Sequence, residues 1–151
     1  MVSLRPLTDS NRAELEALQV SAAQLEFVSS VARSLLEAAE HPGARAICWG
    51  LYDDDTPVGF VMIADEVDEP QYISQFLWKL LIDERYQRRG YGTAALDLVV
   101  EYFRSRPGVE AMWTSAGEGE GSPIPFYERY GFERTGEIVD DDEVKLRLAI
   151  R

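Results

Sequence analysis

Hydrophobic and polar positions alternate over Val2-Ser3-Leu4-Arg5-Pro6-Leu7, which predicts a first strand. Thr8, Asp9, Ser10 and Asn11 then offer N-cap side chains, and Leu15 and Leu18 follow at helical spacing, predicting a helix over 11–18. Ser21 and Gln24 have the spacing of a capping box ahead of Leu25, Phe27, Val28 and Val31. Residues 33–40 continue as helix until His41-Pro42-Gly43 stops it. Ala46, Cys48 and Gly50 share one face of a strand over 44–52, the run Asp53-Asp54-Asp55-Thr56-Pro57 turns, and 58–64 returns as the second arm of a hairpin. Residues 65–70 form an acidic loop, and 71–82 is a long β-leaning run with Tyr72, Ile73, Phe76, Leu77 and Trp78. The strongest helical pattern is 90–104, where Ala95, Leu98, Val99 and Tyr102 make one stripe and Leu96, Val100 and Phe103 widen it. So broad a face suits a helix lying on a sheet. A strand over 109–115, a glycine-rich acidic loop over 116–121, and a helix from Ser122-Pro123 to Tyr130, stopped by Gly131, come next. Strands over 132–139 and 144–149 close the chain as a hairpin around Asp140-Asp141-Asp142. Mostly antiparallel strands with helices between them predict an α+β fold built on one central mixed sheet.

The chain has 151 residues, enough for a single domain, 1–151, with a sizeable core. The formal net charge of −12 changes the picture more than the apolar content does. Such a surface repels nucleic-acid phosphates and anionic membranes and attracts cations. No basic stripe offsets it, so nucleic acid is not an expected partner. Cys48 is the only cysteine, which excludes an internal disulfide and suits a cytoplasmic protein. It sits in an apolar run and reads as a core residue. With His41 the only histidine, in a turn that leaves its ring solvated, no Cys/His zinc site can be assembled and no metal is expected. No secretory leader pattern appears at the N-terminus, and no apolar run reaches membrane-spanning length.

The candidate chemistry lies in 79–96. An apolar strand runs into a polar turn, and Gly90 and Gly92 open the long helix. A helix start leaves backbone N–H groups without partners and carries partial positive charge, so it attracts anions. Glycine lets a bulky anion approach those groups, and Arg85, Arg88 and Arg89 add charge beside them. Two motifs compete for these residues. Gly90-x-Gly92-x-x-Ala95 fits the dinucleotide fingerprint, with Glu110 about 20 residues on as that fingerprint expects. That reading also needs a repeated strand–helix unit, for which the remaining chain is too short and too rich in hairpins. The P-loop is excluded, because no Gly-Lys-Ser/Thr follows.

The second motif is Gln87-Arg88-Arg89-Gly90-Tyr91-Gly92, which resembles the Gln-x-x-Gly-x-Gly acetyl-CoA loop of the GNAT superfamily of N-acetyltransferases. Pro125-Phe126-Tyr127-Glu128-Arg129-Tyr130-Gly131-Phe132 is similar to the same superfamily's Phe-Tyr-x-x-x-Gly-Phe ending. The order of the two motifs, separated by one helix and one strand, also fits. The N-terminal run Thr8-Asp9-Ser10-Asn11-Arg12, followed by Val20-Ser21-x-x-Gln24-Leu25-x-Phe27-Val28, resembles the bacterial spermine/spermidine acetyltransferase branch.

The resemblance implies a GNAT-like fold and transfer of acetyl from acetyl-CoA to a primary amine, with spermidine or spermine the first expectation. Other small amines, an aminoglycoside, a protein N-terminus, or a non-catalytic acyl-CoA sensor remain alternatives. It implies that backbone groups at Leu80 and Ile82 meet the pantetheine arm and the thioester oxygen. Gln87, Arg88, Arg89, Gly90, Tyr91, Gly92 and Thr93 would form the pyrophosphate loop. Many relatives carry an asparagine after the fifth strand; here Ser122 is the candidate to replace it, although Glu118 and Glu120 flank the same loop. Tyr127 aligns with the tyrosine that serves as general acid. Gln24 and Phe27 are candidates for the acceptor wall, Glu26 and Glu66 for further contacts with the acceptor, and Glu26, Glu66 and Glu118, or a carboxylate acting through water, for a general base. A homodimer is a further expectation, since dimers are common among look-alikes.

Overall fold

The run Val58–Ala64 has no polar side because both of its faces are covered. It belongs to β3, Thr56–Ala64, the third strand of a seven-stranded sheet with the order β1-β2-β3-β4-β5-β7-β6. This computed structural model describes residues 1–67 and 69–151. The flanking strands are β1 (Val2–Pro6), β2 (Ala46–Asp53), β4 (Phe76–Ile82), β5 (Ala111–Ala116), β6 (Glu133–Val139) and β7 (Glu143–Ala149). Every pairing is antiparallel except β4 with β5. The crossover between those two is the helix α3, Tyr91–Arg104.

The period of two divides β3 between two cores. Phe60 and Met62 face Leu15, Leu18 and Val31, which belong to the N-terminal helical segment. Val61 and Ile63 face Ala95, Leu96, Val99 and Phe103 of α3, together with Ile124 and Tyr127. The latter two lie on α4, Ile124–Tyr130. The N-terminal segment contains α1 (Arg12–Glu16), a 3-10 turn at Gln24–Glu26, and α2 (Val31–Glu40). Gly50 of β2 leaves room for α1, since a Cβ there would lie 2.8 Å from a Leu15 methyl.

Several element ends differ from the expected ones. The first helix stops at Glu16, and Asn11 does not cap it; its side chain instead accepts from Thr8 N at 2.8 Å and donates to Pro6 O at 3.1 Å. Half of the expected capping box forms, with Gln24 Oε1 accepting from Ser21 N at 3.2 Å. The second helix begins earlier than its apolar spacing predicts, because Ser30 Oγ caps it through Arg33 N. The expected strand over 71–82 starts only at Phe76. Before it, Gln75 sits at a φ of 57°, its side chain donates to Asp65 and its carbonyl accepts from Trp113 N. Those bonds hold 71–75 as a loop over the sheet end. Asp68, within the acidic run, lies outside the described residues.

Candidate active site

β4 and β5 pair only at Phe76↔Trp113 and Leu77↔Thr114. Beyond that point β5 pairs with β7 alone, so one edge of β4 is left open in a V-shaped gap. The register against β3 also skips a residue at Trp78, between Met62↔Lys79 and Ile63↔Leu77. A bulge of this kind turns the strand locally. Asp83 N donates to Val58 O, so Asp83 faces β3. Counting back by twos, Leu81 faces β3 as well, and the backbone groups of Leu80 and Ile82 face the gap. Ile82 O accordingly accepts from the Gln87 side chain at 2.8 Å.

The turn after β4 is built from buried polar contacts. Asp83 is 2% exposed and accepts from Gln19 N, Arg85 N and Arg85 Nε. Burial opposes its charge, but these donors outweigh it and hold the carboxyl below the usual range. Arg85 is thereby turned toward Asp83, away from the position expected of it beside an anion. Gln87 and Gln24 exchange a pair of side-chain hydrogen bonds, at 2.8 and 3.1 Å. Gln24 is therefore a strut for this turn and does not line the cleft described below.

Gly90, with a φ of 85°, stands at the N-cap of α3, and no side chain caps the helix. A Cβ at Gly90 would meet nothing within 4 Å, so the approach to the first amides is open. Gly92 is small for another reason: a Cβ there would lie 3.0 Å from the Phe126 ring, so this glycine seats α4. The Tyr91 hydroxyl donates to Asp53 at 2.5 Å, which ties the start of α3 to the end of β2. Arg88 and Arg89 are exposed, Arg88 with a φ of 63°.

A cleft of about 500 Å³ opens along β4. Leu80, Thr114, Ser115 and Tyr127 line one part of it, Phe27, Tyr72, Phe76 and Trp78 its aromatic walls. Tyr127 is 6% exposed and packs between the rings of Phe126 and Phe132. Burial pushes its hydroxyl up to about 12; the Thr114 hydroxyl pulls the other way, and the charge of Glu143 adds to the rise. Ser115 Oγ donates to Glu143 at 2.6 Å.

Four carboxylates line the cleft: Glu37 and Glu40 from α2, Asp140 from the β6–β7 turn and Glu143 at the start of β7. Sequence reasoning missed the first two, although their i, i+3 spacing puts them on one helix face. Lys79 lies between the walls, paired with Glu37 at 2.7 Å and bonded to Ser29 Oγ at 3.0 Å. Arg33 lies within 4.0 Å of both Glu37 and Glu40. His41 is exposed but not merely solvated, since its Nδ1 lies 3.0 Å from the Tyr72 hydroxyl at the cleft rim.

The remaining expected site residues are dispersed. Phe27 does line the cleft, and its ring fills the hollow left by Gly117, Gly119 and Gly121, which explains the glycine alternation of that loop. Ser122 donates to Gly117 O at 2.5 Å and accepts from Ile124 N, so its only proton is committed to the loop that starts α4. Of the three base candidates, Glu26 is exposed and outside the cleft, Glu66 is held by Arg106, and Glu118 pairs with Arg134 at 2.6 Å. Cys48 is half-buried and burial pushes its thiol up to about 11, which suits packing and not nucleophilic work. Among the described residues no group of His, Cys, Asp and Glu could hold a metal ion, and no helix is long and apolar enough to cross a membrane.

β4, splayed from its parallel neighbour, and the buried Tyr127 share the cleft, and the uncapped glycine turn follows the end of β4. The model of the acetyltransferase (GNAT) family matches residues 12–132. The chain belongs to this family. It is 31% identical to the spermine/spermidine N(1)-acetyltransferase of Bacillus subtilis (strain 168) over 140 residues, covering 91% of both chains. It is 29% identical over the same length to the probable spermine N(1)-acetyltransferase of Bacillus subtilis subsp. natto (strain BEST195). Among solved structures, aminoglycoside acetyltransferase AAC(6′)-Ib with coenzyme A superposes with a TM-score of 0.75 at 19% identity, covering 99% of this chain and 95% of that one. Spermidine N-acetyltransferase from Vibrio cholerae, in complex with CoA and spermine, gives 0.70 at 14% identity, covering 98% and 95%. These two likenesses establish the GNAT fold. As a family member the protein is an acetyltransferase with acetyl-CoA as its donor.

Proposed function

We propose that this GNAT enzyme acetylates a primary amino group of a polyamine such as spermidine or spermine. The observation that carries this reading is the cleft beside Tyr127, where Glu37, Glu40, Asp140 and Glu143 line a pocket with aromatic walls. Alkyl ammonium groups fit carboxylates and aromatic faces, and the methylenes between them fit the rings. The relatedness to spermine/spermidine N(1)-acetyltransferase supports the same acceptor class.

In this reading acetyl-CoA, when bound, supplies an activated acetyl thioester. The backbone amides from Arg88 to Thr93 bind its pyrophosphate, helped by the start of α3 and by the Arg88 and Arg89 charges. Gln87 positions that turn through Ile82 O and Gln24. The gap-facing backbone groups of Leu80 and Ile82 orient the thioester arm. Tyr127 stays protonated at neutral pH and donates its proton to the leaving sulfur. Phe27, Trp78 and Tyr72 shield the acceptor end from water. Use of acetyl-CoA supports a cytoplasmic reaction.

The test is acetyl-CoA-dependent thiol release with spermidine, spermine, an aminoglycoside and a short peptide offered separately. Release with the polyamines at a kcat/KM at least tenfold above the others is expected. Preference for the aminoglycoside or the peptide would reject the polyamine assignment and keep the family chemistry.

A further inference from the structure

We infer that Glu143 is the catalytic base that takes the proton from the acceptor ammonium. This rests on acetyl transfer to an amine, whichever amine that is. Three features single it out. First, it lines the same cleft as Tyr127, at the start of β7, and its charge is felt at the Tyr127 hydroxyl. Second, no cation holds it among the described residues. Glu37 is paired with Lys79 and Arg33, and Glu40 lies near Arg33, whereas Glu143 has a neutral partner, Ser115 Oγ, at 2.6 Å. A hydroxyl donor fixes the carboxylate without neutralising it, and leaves the second oxygen for a substrate. Third, its placement is rigid. The pairs Ser115↔Lys145 and Ala116↔Val144 hold the start of β7 against β5, and Val139↔Glu143 closes the hairpin. Asp140 shares the cleft but sits on the exposed turn at a φ of 46°, without such an anchor.

The proton balance closes with these two residues. The acceptor ammonium passes one N–H proton to a Glu143 oxygen, which frees the nitrogen lone pair. The C–N bond forms as the C–S bond breaks, and the sulfur takes the proton of Tyr127. The second proton on nitrogen then restores the Tyr127 hydroxyl, and Glu143 returns the first to solvent. The order is self-consistent. Once Glu143 is protonated, the negative charge that adds to the rise at Tyr127 is gone, so the tyrosine becomes a better donor when the sulfur needs one.

The charged and titratable groups around this pair are Lys79 from β4, Arg33, Glu37, Glu40 and His41 from α2 and its end, Tyr72 from the β3–β4 loop, and Asp140. The experiment measures Glu143→Gln, Glu143→Asp and Glu143→Ala beside the wild type, with the best acceptor of the wild-type panel. General-base removal predicts a kcat loss of about 100-fold or more in Glu143→Gln. KM for the acceptor should change less than tenfold, and the melting-temperature rise given by acetyl-CoA should match wild type. Glu143→Asp should recover at least tenfold over Glu143→Gln, and added formate should restore turnover to Glu143→Ala. A kcat within threefold of wild type, or a loss confined to KM, would overturn the assignment and leave Glu143 as a charge that attracts the acceptor. So would a Glu143→Ala enzyme that still shifts with acetyl-CoA but gains nothing from formate. A wild type that releases thiol with a non-polyamine leaves this assignment standing while rejecting the polyamine; a wild type silent with every amine rejects both.

Discussion

Tyr127 is a hydroxyl that the fold keeps protonated. Burial against Phe126 and Phe132 raises it from an ordinary value near 10 to about 12, with Glu143 adding to the rise. Two predictions belong to this residue. Tyr127→Phe should lower kcat by about 100-fold and leave the acetyl-CoA thermal shift intact, since the ring still packs while the proton is gone. A non-catalytic sensor would be indifferent to the change. The second concerns stability and pH. Below about pH 10 tyrosine is protonated in both folded and unfolded chains, so the raised value adds no slope there. Between about 10 and 12 the unfolded chain releases the proton and the folded one keeps it, so stability falls as pH rises, by on the order of 2–3 kcal/mol. Between those pH values wild-type stability should fall relative to that of Tyr127→Phe by this amount in denaturation, because Tyr130 and Cys48 titrate in both. Parallel curves would mean that the hydroxyl is not buried in solution.

At the scale of elements, the glycine loop between β5 and α4 is a socket for an aromatic ring. Gly119 has a φ of 135°, and a Cβ there would lie 3.3 Å from Phe27. Gly119→Ala should therefore destabilise the protein by about 1–3 kcal/mol, mostly from the backbone. Chemical denaturation would measure it, and acceptor KM should rise as Phe27 loses its seat in the cleft wall. A neutral effect would show that the loop does not clasp Phe27. The same loop marks where sequence stops being informative. Elements with their own periodicity were legible: α3 begins one residue after the expected start, and both hairpins have nearly their expected limits, because amphipathic spacing and turn residues are local signals. The glycine turn that opens α3 and the short helix that carries Tyr127 were legible as elements because particular residue types stand at fixed spacing. The acidic cleft was not, since Glu37 and Glu143 lie far apart along the chain and meet only through packing. Gln24 was misplaced for the same reason; a glutamine beside Phe27 looks like a pocket wall until its partner, Gln87, is brought across. Gly92 has the spacing of a phosphate-loop glycine, yet its missing Cβ also makes room for Phe126.

For the whole molecule, the net charge of −12 and the polarity of the groove pull two substrates in opposite senses. In the proposed reading, a polyamine approaches a negative surface and ends among Glu37, Glu40, Asp140 and Glu143, so long-range attraction would raise its local concentration. Acetyl-CoA is an anion, and in the same reading it would cross that negative field to reach the exposed Arg88 and Arg89 and the start of α3. Salt screens both effects, with a Debye length of about 10 Å at 0.1 M. Raising the salt concentration through that range should therefore raise KM for spermidine several-fold, while KM for acetyl-CoA stays level or falls. Initial rates with each substrate varied against saturating partner would separate the two. The opposition in sign is the informative part, because a general effect of salt on folding or on kcat would move both constants together. If the spermidine KM does not respond, the pairing of Glu37 and Glu40 with Lys79 and Arg33 already cancels most of the cleft's attraction, and the acceptor is recognised by shape and hydrogen bonds instead.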